Sequence, residues 1–471
     1  MFMSNKEIYV KDVLNICNGK LIIGREDEIC ENFSKDTRTI KSGDVYIGIK
    51  GENFDGNLFY LDAISKGAKV CIIQDVDVDL EKVKKYKDIT IIKVDDTIKA
   101  LQEIAKYKRS LYDIPVVAIT GSVGKTSTKD IVARVLEEKF HVLKTEGNLN
   151  NHIGLPLTIL KLKNHEALVV EMGMNNLGEI SVLTNIAKPN VAVITNVGTS
   201  HIGNLGSREN ILKAKLEILE GLAKDGVLVI NKDNDLLKKW YEENIENINY
   251  KVQTYGIKEK SDFMAYNIIG TENGSTYNID NNNNTYNVKI KIGGEHFVLN
   301  SLCAISVASI FHISMNKIIN GILNFELTKN RMEIKKKNNI TIINDCYNAN
   351  YDSMKAALDF LGTNKNNRKI AILGDMLELG EFSEELHKKV GMEVSKNKID
   401  ILITVGDNSR NISSSAKNNG MEESNIFDLS NNKEAIIKIK SIMKENDIIL
   451  IKASNGMKFK EIVDDILKDY I

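Results

Sequence analysis

The stretch Thr120-Gly121-Ser122-Val123-Gly124-Lys125-Thr126-Ser127 carries the residue types that hold a phosphate chain. Backbone N–H groups of a glycine-containing turn, and of the helix that starts after it, point at an anion, and the helix dipole favours its charge. In such a cradle Lys125 would neutralise the outer phosphates and the Thr126 hydroxyl would ligate Mg²⁺. The whole run Gly121, Ser122, Val123, Gly124, Lys125, Thr126 and Ser127 is therefore a candidate nucleotide-binding loop. It departs from the commoner G-x-x-x-x-G-K-[ST] spacing, because position 119 is Ile and the first glycine is Gly121. That shortening weighs against a GTPase or a motor ATPase.

Other residues fall where a second group could act. Glu171 ends the apolar run "ALVVE", and a carboxylate at a strand's carboxyl end can reach a Mg²⁺ held by the loop. His201 follows "VITNVGTS"; its imidazole can serve as a metal ligand, a phosphate contact or an ordinary loop residue. Lys215 sits in "NILKAKLEIL", where spacing alone reads as a solvent-facing helix lysine. The loop "TEGNLNNHIGLP" offers Asn148, Asn150 and Asn151, whose amides both donate and accept, but asparagine is also a common turn former.

The surrounding pattern supplies elements to position these groups. "PVVAIT" reads as a buried strand before the loop, and Thr126–Phe140 as an amphipathic helix after it. "ALVVEMG", "NVAVITNVG" and "GVLVIN" are further short apolar runs, separated by helical stretches such as "ENILKAKLEILEGLA". That alternation predicts a parallel sheet flanked by helices, with ligands beyond the strands' carboxyl ends. "NGSTYNIDNNNNTYNVKIKI" predicts a hairpin with an Asn-rich turn, and "FVLNSLCAISVASIF" a helix. Near Thr328 the pattern restarts: "NITIINDCYNAN", "RKIAILGDM", "DILITVGD" and "DIILIKAS" predict a second α/β sheet. Before Pro115, "GDVYIGIKG", "YLDAISKGAKVCII" and "TIKALQEIAKYKRSLY" predict a small α/β unit. The expected domains are 1–112, 113–328 and 329–471, an α/β chain whose central domain is a parallel-sheet phosphate-loop ATPase.

Composition excludes several classes. A net charge of −1 gives no bulk attraction to nucleic acid or to an anionic membrane surface. The five cysteines have no CxxC spacing, which weighs against a zinc site or a disulfide framework and fits a reducing cytoplasm. The N-terminus lacks the apolar core of a signal peptide, and no apolar run approaches the roughly 18 residues of a membrane span. No internal repeat marks a solenoid.

Seven motifs occur in order: "TGSVGKTS", "GNLNNHIGLP", "VVEMGMNNLGEI", "TNVGTSHIGNLGSRENILKAKLEI", "NRMEI", "NDCYNAN" and "GDMLELG". Together with "KDTRTIKSGDVYIGIKGENFDG" they resemble the Mur ligases, the ATP-dependent amide ligases of peptidoglycan precursor synthesis, over nearly the whole chain. The resemblance implies an N-terminal domain for a UDP-sugar, a central ATPase and a C-terminal Rossmann-like domain. It is strongest to the member that handles UDP-N-acetylmuramoyl-tripeptide and D-Ala-D-Ala, through an acyl phosphate made from ATP. It implies ATP and two Mg²⁺ sites; a cytoplasmic setting and a monomer are expected, and the sequence itself is silent on oligomeric state.

By this resemblance Lys125 serves the phosphates, Thr126 and Glu171 the first Mg²⁺, and His201 the second, while Lys215 falls where the family carries a lysine carbamylated by CO₂. Asn300 would face adenine, and Arg331 and Asp345 would bind nucleotide from the C-terminal domain. Asp36, Thr37 and Arg38, with Asn53 and Phe54, would lie near the uridine end. Asn148, Asn150 and Asn151 would meet substrate, and a hinge would lie near Leu327–Asn330. Three positions depart from the family pattern: Phe297 stands where relatives often have Asn, Tyr351 where Pro is usual, and Asn455 where many have Arg. The competing readings are the preceding ligase, which adds the third amino acid and usually carries an "NPR" signature missing here, and a nucleotide-switched binding protein. Folylpolyglutamate synthase shares the ATPase core without such an N-terminal domain.

Overall fold

The computed structural model describes residues 6–271, 274–327 and 330–468. They form three α/β units in sequence, each built on its own sheet.

The first sheet runs Lys20–Ile23, Thr90–Lys93, Val70–Ile73, Val45–Ile47, Phe33–Ser34, with only the first strand antiparallel. The expected helix–turn–strand of "YLDAISKGAKVCII" is Tyr60–Ser65 followed by Val70–Ile73. The helix Thr97–Ser110 starts at Asp96, whose carboxylate accepts from Ile98 N and Lys99 N, a regular N-cap. It buries Ala100, Leu101, Ile104 and Ala105, the i, i+1, i+4, i+5 stripe of one face, and stops before Pro115.

The central sheet has nine strands, in the order Asn284–Ile290, Gly274–Asn281, Phe263–Thr271, Lys251–Gly256, Val227–Asn231, Val191–Ile194, Val116–Thr120, Ala167–Glu171, Val142–Lys144. The strands from Lys251–Gly256 onward in that order are parallel to one another. Val116–Thr120 lies between two parallel neighbours and is buried at every residue, which is why it reads as an unbroken apolar run. The expected hairpin is present, with Asn282 and Asn283 both at positive φ (49° and 62°), as a two-residue turn between twisted strands requires. It is one strand larger than expected: Phe263–Thr271 joins it to the central sheet through a short parallel pairing at Tyr255 and Gly256. The helix after the loop spans Lys125–Leu136, shorter than the expected 126–140, and the buried helix Glu295–Ile310 packs against it. The stretch "ENILKAKLEILEGLA" divides into an α-helix, Arg208–Leu216, and a tighter 3₁₀ turn, Glu217–Gly221.

The third sheet runs Glu333–Lys337, Ile340–Asn344, Ile448–Lys452, Lys369–Gly374, Ile401–Val405, Ile426–Leu429, and is parallel except for its first strand. Thr328 and Lys329 of the expected hinge lie outside the described residues. Among the described residues no helix is long and apolar enough to cross a membrane, and all five cysteines are free.

Candidate functional site

Residues beyond the carboxyl ends of the central and third sheets line one cleft of about 410 Å³. Its floor is the phosphate loop. Gly121 sits where a Cβ would lie 1.9 Å from Thr195 Oγ1, and Gly124, the residue before the helix, holds φ at 80°. Any other residue at either position would shift the loop. The following loop straps it in place: Val123 N donates to Asn196 Oδ1 (2.9 Å), Asn196 Nδ2 and Thr195 Oγ1 both donate to Val123 O, and Gly198 N donates to Ser122 Oγ (2.9 Å). Lys125 Nζ donates back to Gly121 O at 2.8 Å. Burial lowers the pKa of its ammonium, Glu171 opposes that shift, and Arg331 adds to it.

Thr126 Oγ1 donates to Glu171 Oε2 at 2.8 Å, and Asn150 Nδ2 donates to Glu171 Oε1 at 2.7 Å. Glu171 is held further by its own N–H on Thr145 Oγ1. A hydroxyl and a carboxylate set side by side at the floor of a phosphate cleft are hard oxygen donors that suit Mg²⁺. Among the described residues no three His, Cys, Asp or Glu side chains cluster as a metal cage. The Thr126 hydroxyl and Glu171 carboxylate fit an ion that keeps waters and takes substrate phosphates as further ligands, the habit of Mg²⁺.

His201 begins a short helical turn in the left-handed region (φ 62°). Its Nδ1 comes within 2.9 Å of Glu378 Oε2 without hydrogen-bond alignment, and is buried with no hydrogen-bond partner among the described residues. Burial, then Lys125 and Lys215, push the imidazole down to about 4, so it is neutral near pH 7 with a lone pair to offer.

Lys215 is a correction to the solvent-facing reading that spacing gave. It is 1% exposed, on the same helix face as the buried Ile211, while Lys213 is exposed. No residue among those described makes a hydrogen bond or ion pair to its ammonium. Burial lowers its pKa well below the usual lysine value, and Lys125 lowers it further.

The third unit closes the cleft. The Arg331 guanidinium lies over the Tyr347 ring (3.9 Å to its centre), and its Nε is buried with no hydrogen-bond partner among the described residues. Asp345 Oδ2 accepts from Lys452 Nζ at 2.6 Å, and Lys452 also donates to Asn348 O. Asn300 accepts from Thr128 Oγ1 beside Gly124 and lines the cleft.

Other expected residues have different surroundings. Asn148, Asn150 and Asn151 line the cleft, but Asn150 orients Glu171, and Asn151 accepts from Ile153 N and Gly154 N at a helix start. Asp36, Thr37, Arg38, Asn53 and Phe54 do not line it; Asp36 and Arg38 pair with each other on the surface of the first unit, and Phe54 is 65% exposed. Of the departures, Phe297 is buried against His296, Tyr351 opens the helix Tyr351–Gly362, and Asn455 lines a smaller neighbouring pocket with Glu378 and Ser454. Sequence reasoning missed Lys452 and Tyr347. Lys452 carried a usable signal, because it ends the apolar run "DIILIK" at a strand's carboxyl end.

Comparison with known proteins gives one consistent result. Family profiles described as "Mur ligase family, catalytic domain", "Mur ligase middle domain" and "Mur ligase, glutamate ligase domain" match residues 32–109, 119–308 and 330–455. The UDP-N-acetylmuramoyl-tripeptide–D-alanyl-D-alanine ligase of Bacillus subtilis (strain 168) is 37% identical over 98% of both chains. A crystal structure of MurF from Acinetobacter baumannii has a TM-score of 0.87 at 27% identity, covering 98% of this chain and 99% of that one. The MurF ligase of Thermotoga maritima in complex with ADP has a TM-score of 0.81 at 26% identity, covering 93% and 98%.

Proposed function

This chain belongs to the Mur ligase family, and on that premise we propose that it joins D-Ala-D-Ala to the carboxylate of UDP-N-acetylmuramoyl-tripeptide at the expense of ATP. The products are the UDP-N-acetylmuramoyl-pentapeptide, ADP and phosphate, and the setting is cytoplasmic synthesis of cell-wall precursor. The observation that carries this reading is end-to-end similarity at 37% identity to a ligase of that name.

A carboxylate has no leaving group and repels an incoming amine, so it needs activation. One tripeptide carboxylate oxygen attacks the γ-phosphorus of ATP, the bond to the β-phosphate oxygen breaks, and an acyl phosphate forms with ADP. The amine of D-Ala-D-Ala then attacks the acyl carbon, loses a proton, and expels phosphate. The protein's part is to hold two anions together and neutralise them. The N–H groups at the start of the helix Lys125–Leu136 meet the phosphates, and Lys125 swings from Gly121 O to their outer oxygens. Arg331 offers from the opposite wall its Tyr347-stacked guanidinium, whose Nε has no hydrogen-bond partner among the described residues. Thr126 and Glu171 would hold one Mg²⁺, with Asn150 fixing the carboxylate, and His201 with Lys215 would serve a second. Bound Mg²⁺ would supply charge neutralisation on the transferring phosphoryl group.

An unmodified Lys215 ammonium would repel that second ion. Its burial and lowered pKa favour the free amine, which adds CO₂ and releases a proton, turning a cation into an anionic carbamate with two hard oxygens.

Phosphate release tests the reading: UDP-tripeptide in its meso-diaminopimelate and lysine forms, with ATP, with and without D-Ala-D-Ala. Turnover that depends on the dipeptide supports it. Turnover with a single amino acid on the UDP-dipeptide would point to the preceding ligase, and acceptor-independent hydrolysis to a nucleotide switch.

A further inference from the structure

The loop that straps the phosphate loop from one side is gripped from the other side by the third unit. The helix Tyr351–Gly362 is started by a reciprocal cap: Asn350 accepts from Ser353 N, and Ser353 Oγ accepts from Asn350 N. This fixes Asp352 in the first turn, facing the central unit. There Asp352 Oδ2 accepts from Thr199 N at 2.7 Å and from Thr199 Oγ1 at 2.9 Å. Gly198 presses so close that a Cβ would lie 2.2 Å from the same carboxylate oxygen. Beside it, Asn350 Nδ2 donates to Ser200 Oγ, and Ser200 Oγ donates to Ser122 O at 3.0 Å. Ser122 Oγ in turn accepts from Gly198 N. Arg208, bonded to Val197 O at the start of the same loop, is near enough for its positive charge to be reinforced by Asp352. A continuous chain of contacts therefore runs from the third unit, through Gly198–Ser200, into the phosphate loop.

We propose that Asp352 is a positioning residue for the ligase reaction: it latches the third unit onto Gly198–Ser200 and so holds the phosphate loop in working geometry only when the units are docked. The inference rests on the ligase reading above. It ties phosphoryl transfer to the arrival of the wall that carries Arg331, Asp345 and Lys452. ATP bound to an undocked molecule would meet a loop released on one side, and the acyl phosphate would form only where the third unit stands ready.

The test uses Asp352→Ala, Asp352→Asn, Gly198→Ala and the double variant Gly198→Ala/Asp352→Ala in the full chain. Each is checked by circular dichroism. The latch predicts that Asp352→Ala loses tenfold or more in kcat at saturating substrates, while KM for ATP changes less than about threefold. Asp352→Asn keeps an oxygen able to accept from Thr199 and retains at least a third of wild-type kcat. Gly198→Ala, which wedges the contact, also loses tenfold or more, and the double variant is no worse than the poorer single, because removing the carboxylate makes room for the methyl group. Wild-type kcat in Asp352→Ala, an Asn variant as poor as the Ala variant, or a double loss equal to the product of the single losses would overturn it. A wild-type enzyme without acceptor-dependent turnover would instead sink the ligase reading. The latch is then judged by small-angle scattering with MgATP: a smaller radius of gyration in wild type than in Asp352→Ala supports it, and equal radii overturn it.

Discussion

Lys125 lines the cleft and Lys215 is buried near enough to feel its charge, and each lysine is pushed toward its neutral form, first by burial. Their environments assign them different work. Lys125, at the start of the phosphate-loop helix, lines the cleft and donates to Gly121 O, whereas Lys215 is buried and has no hydrogen-bond or ion-pair partner among the described residues. Lys125→Ala is expected to lower kcat by far more than tenfold while leaving the far-ultraviolet circular dichroism unchanged. A residual rate above about a tenth of wild type, a loss under ~1.4 kcal/mol, would remove it from the phosphate site. Lys215→Ala is expected to be nearly inactive, Lys213→Ala to be near wild type, and acetate to restore part of the Lys215→Ala rate by supplying the missing oxygens. A fully active Lys215→Ala enzyme, or equal losses at the two lysines, would contradict the carbamate proposal.

At the scale of elements, the site depends on loops that only fit one another. Gly121 and Thr195 belong to neighbouring strand ends, and the Thr195 hydroxyl that a Gly121 side chain would strike is the one that bonds Val123 O. Gly121→Ala should therefore push the loop off its strap, costing on the order of 1–3 kcal/mol of stability and at least tenfold in kcat/KM for ATP. A thermal melt and initial rates measure the two effects, and an unchanged kcat/KM would mean the loop tolerates displacement. Much of this layer could be read from sequence. "PVVAIT", "ALVVE", "VAVI" and "VLVIN" are buried on both faces and so are apolar throughout. The edges were less legible. Glu333–Lys337 hides as a run of lysines because one face is solvated, and Ile426–Leu429 is a four-residue edge strand. Lys215 looked like a surface lysine because periodicity cannot tell which face of a polar helix is covered by the helices packed against it, here Glu179–Ala187 and Asp235–Asn244 of the same unit. Tyr347 and the Asp345–Lys452 pair needed the third sheet's strand order, which places Ile448–Lys452 beside Ile340–Asn344 although a hundred residues of chain separate them. The first unit's expected uridine contacts stand apart from the cleft, so their spacing said nothing of what they touch.

At the scale of the whole molecule, the cleft is made by two units that meet. Lys125, Thr126 and Glu171 come from the central one, and Arg331, Asp345 and Lys452 from the third. A site shared in this way is completed by domain docking. Small-angle scattering should show a smaller radius of gyration with ATP and UDP-tripeptide together than without ligands; no change would mean that the units stay docked when empty. The central claim is that the phosphate loop serves to activate a carboxylate, and isotope transfer tests it most directly. UDP-tripeptide labelled with ¹⁸O in its terminal carboxylate is turned over with ATP and D-Ala-D-Ala, and the released phosphate is analysed by mass spectrometry. An acyl phosphate passes one carboxylate oxygen to each phosphate, so the account predicts one ¹⁸O per phosphate released. Pentapeptide formed with unlabelled phosphate would contradict it.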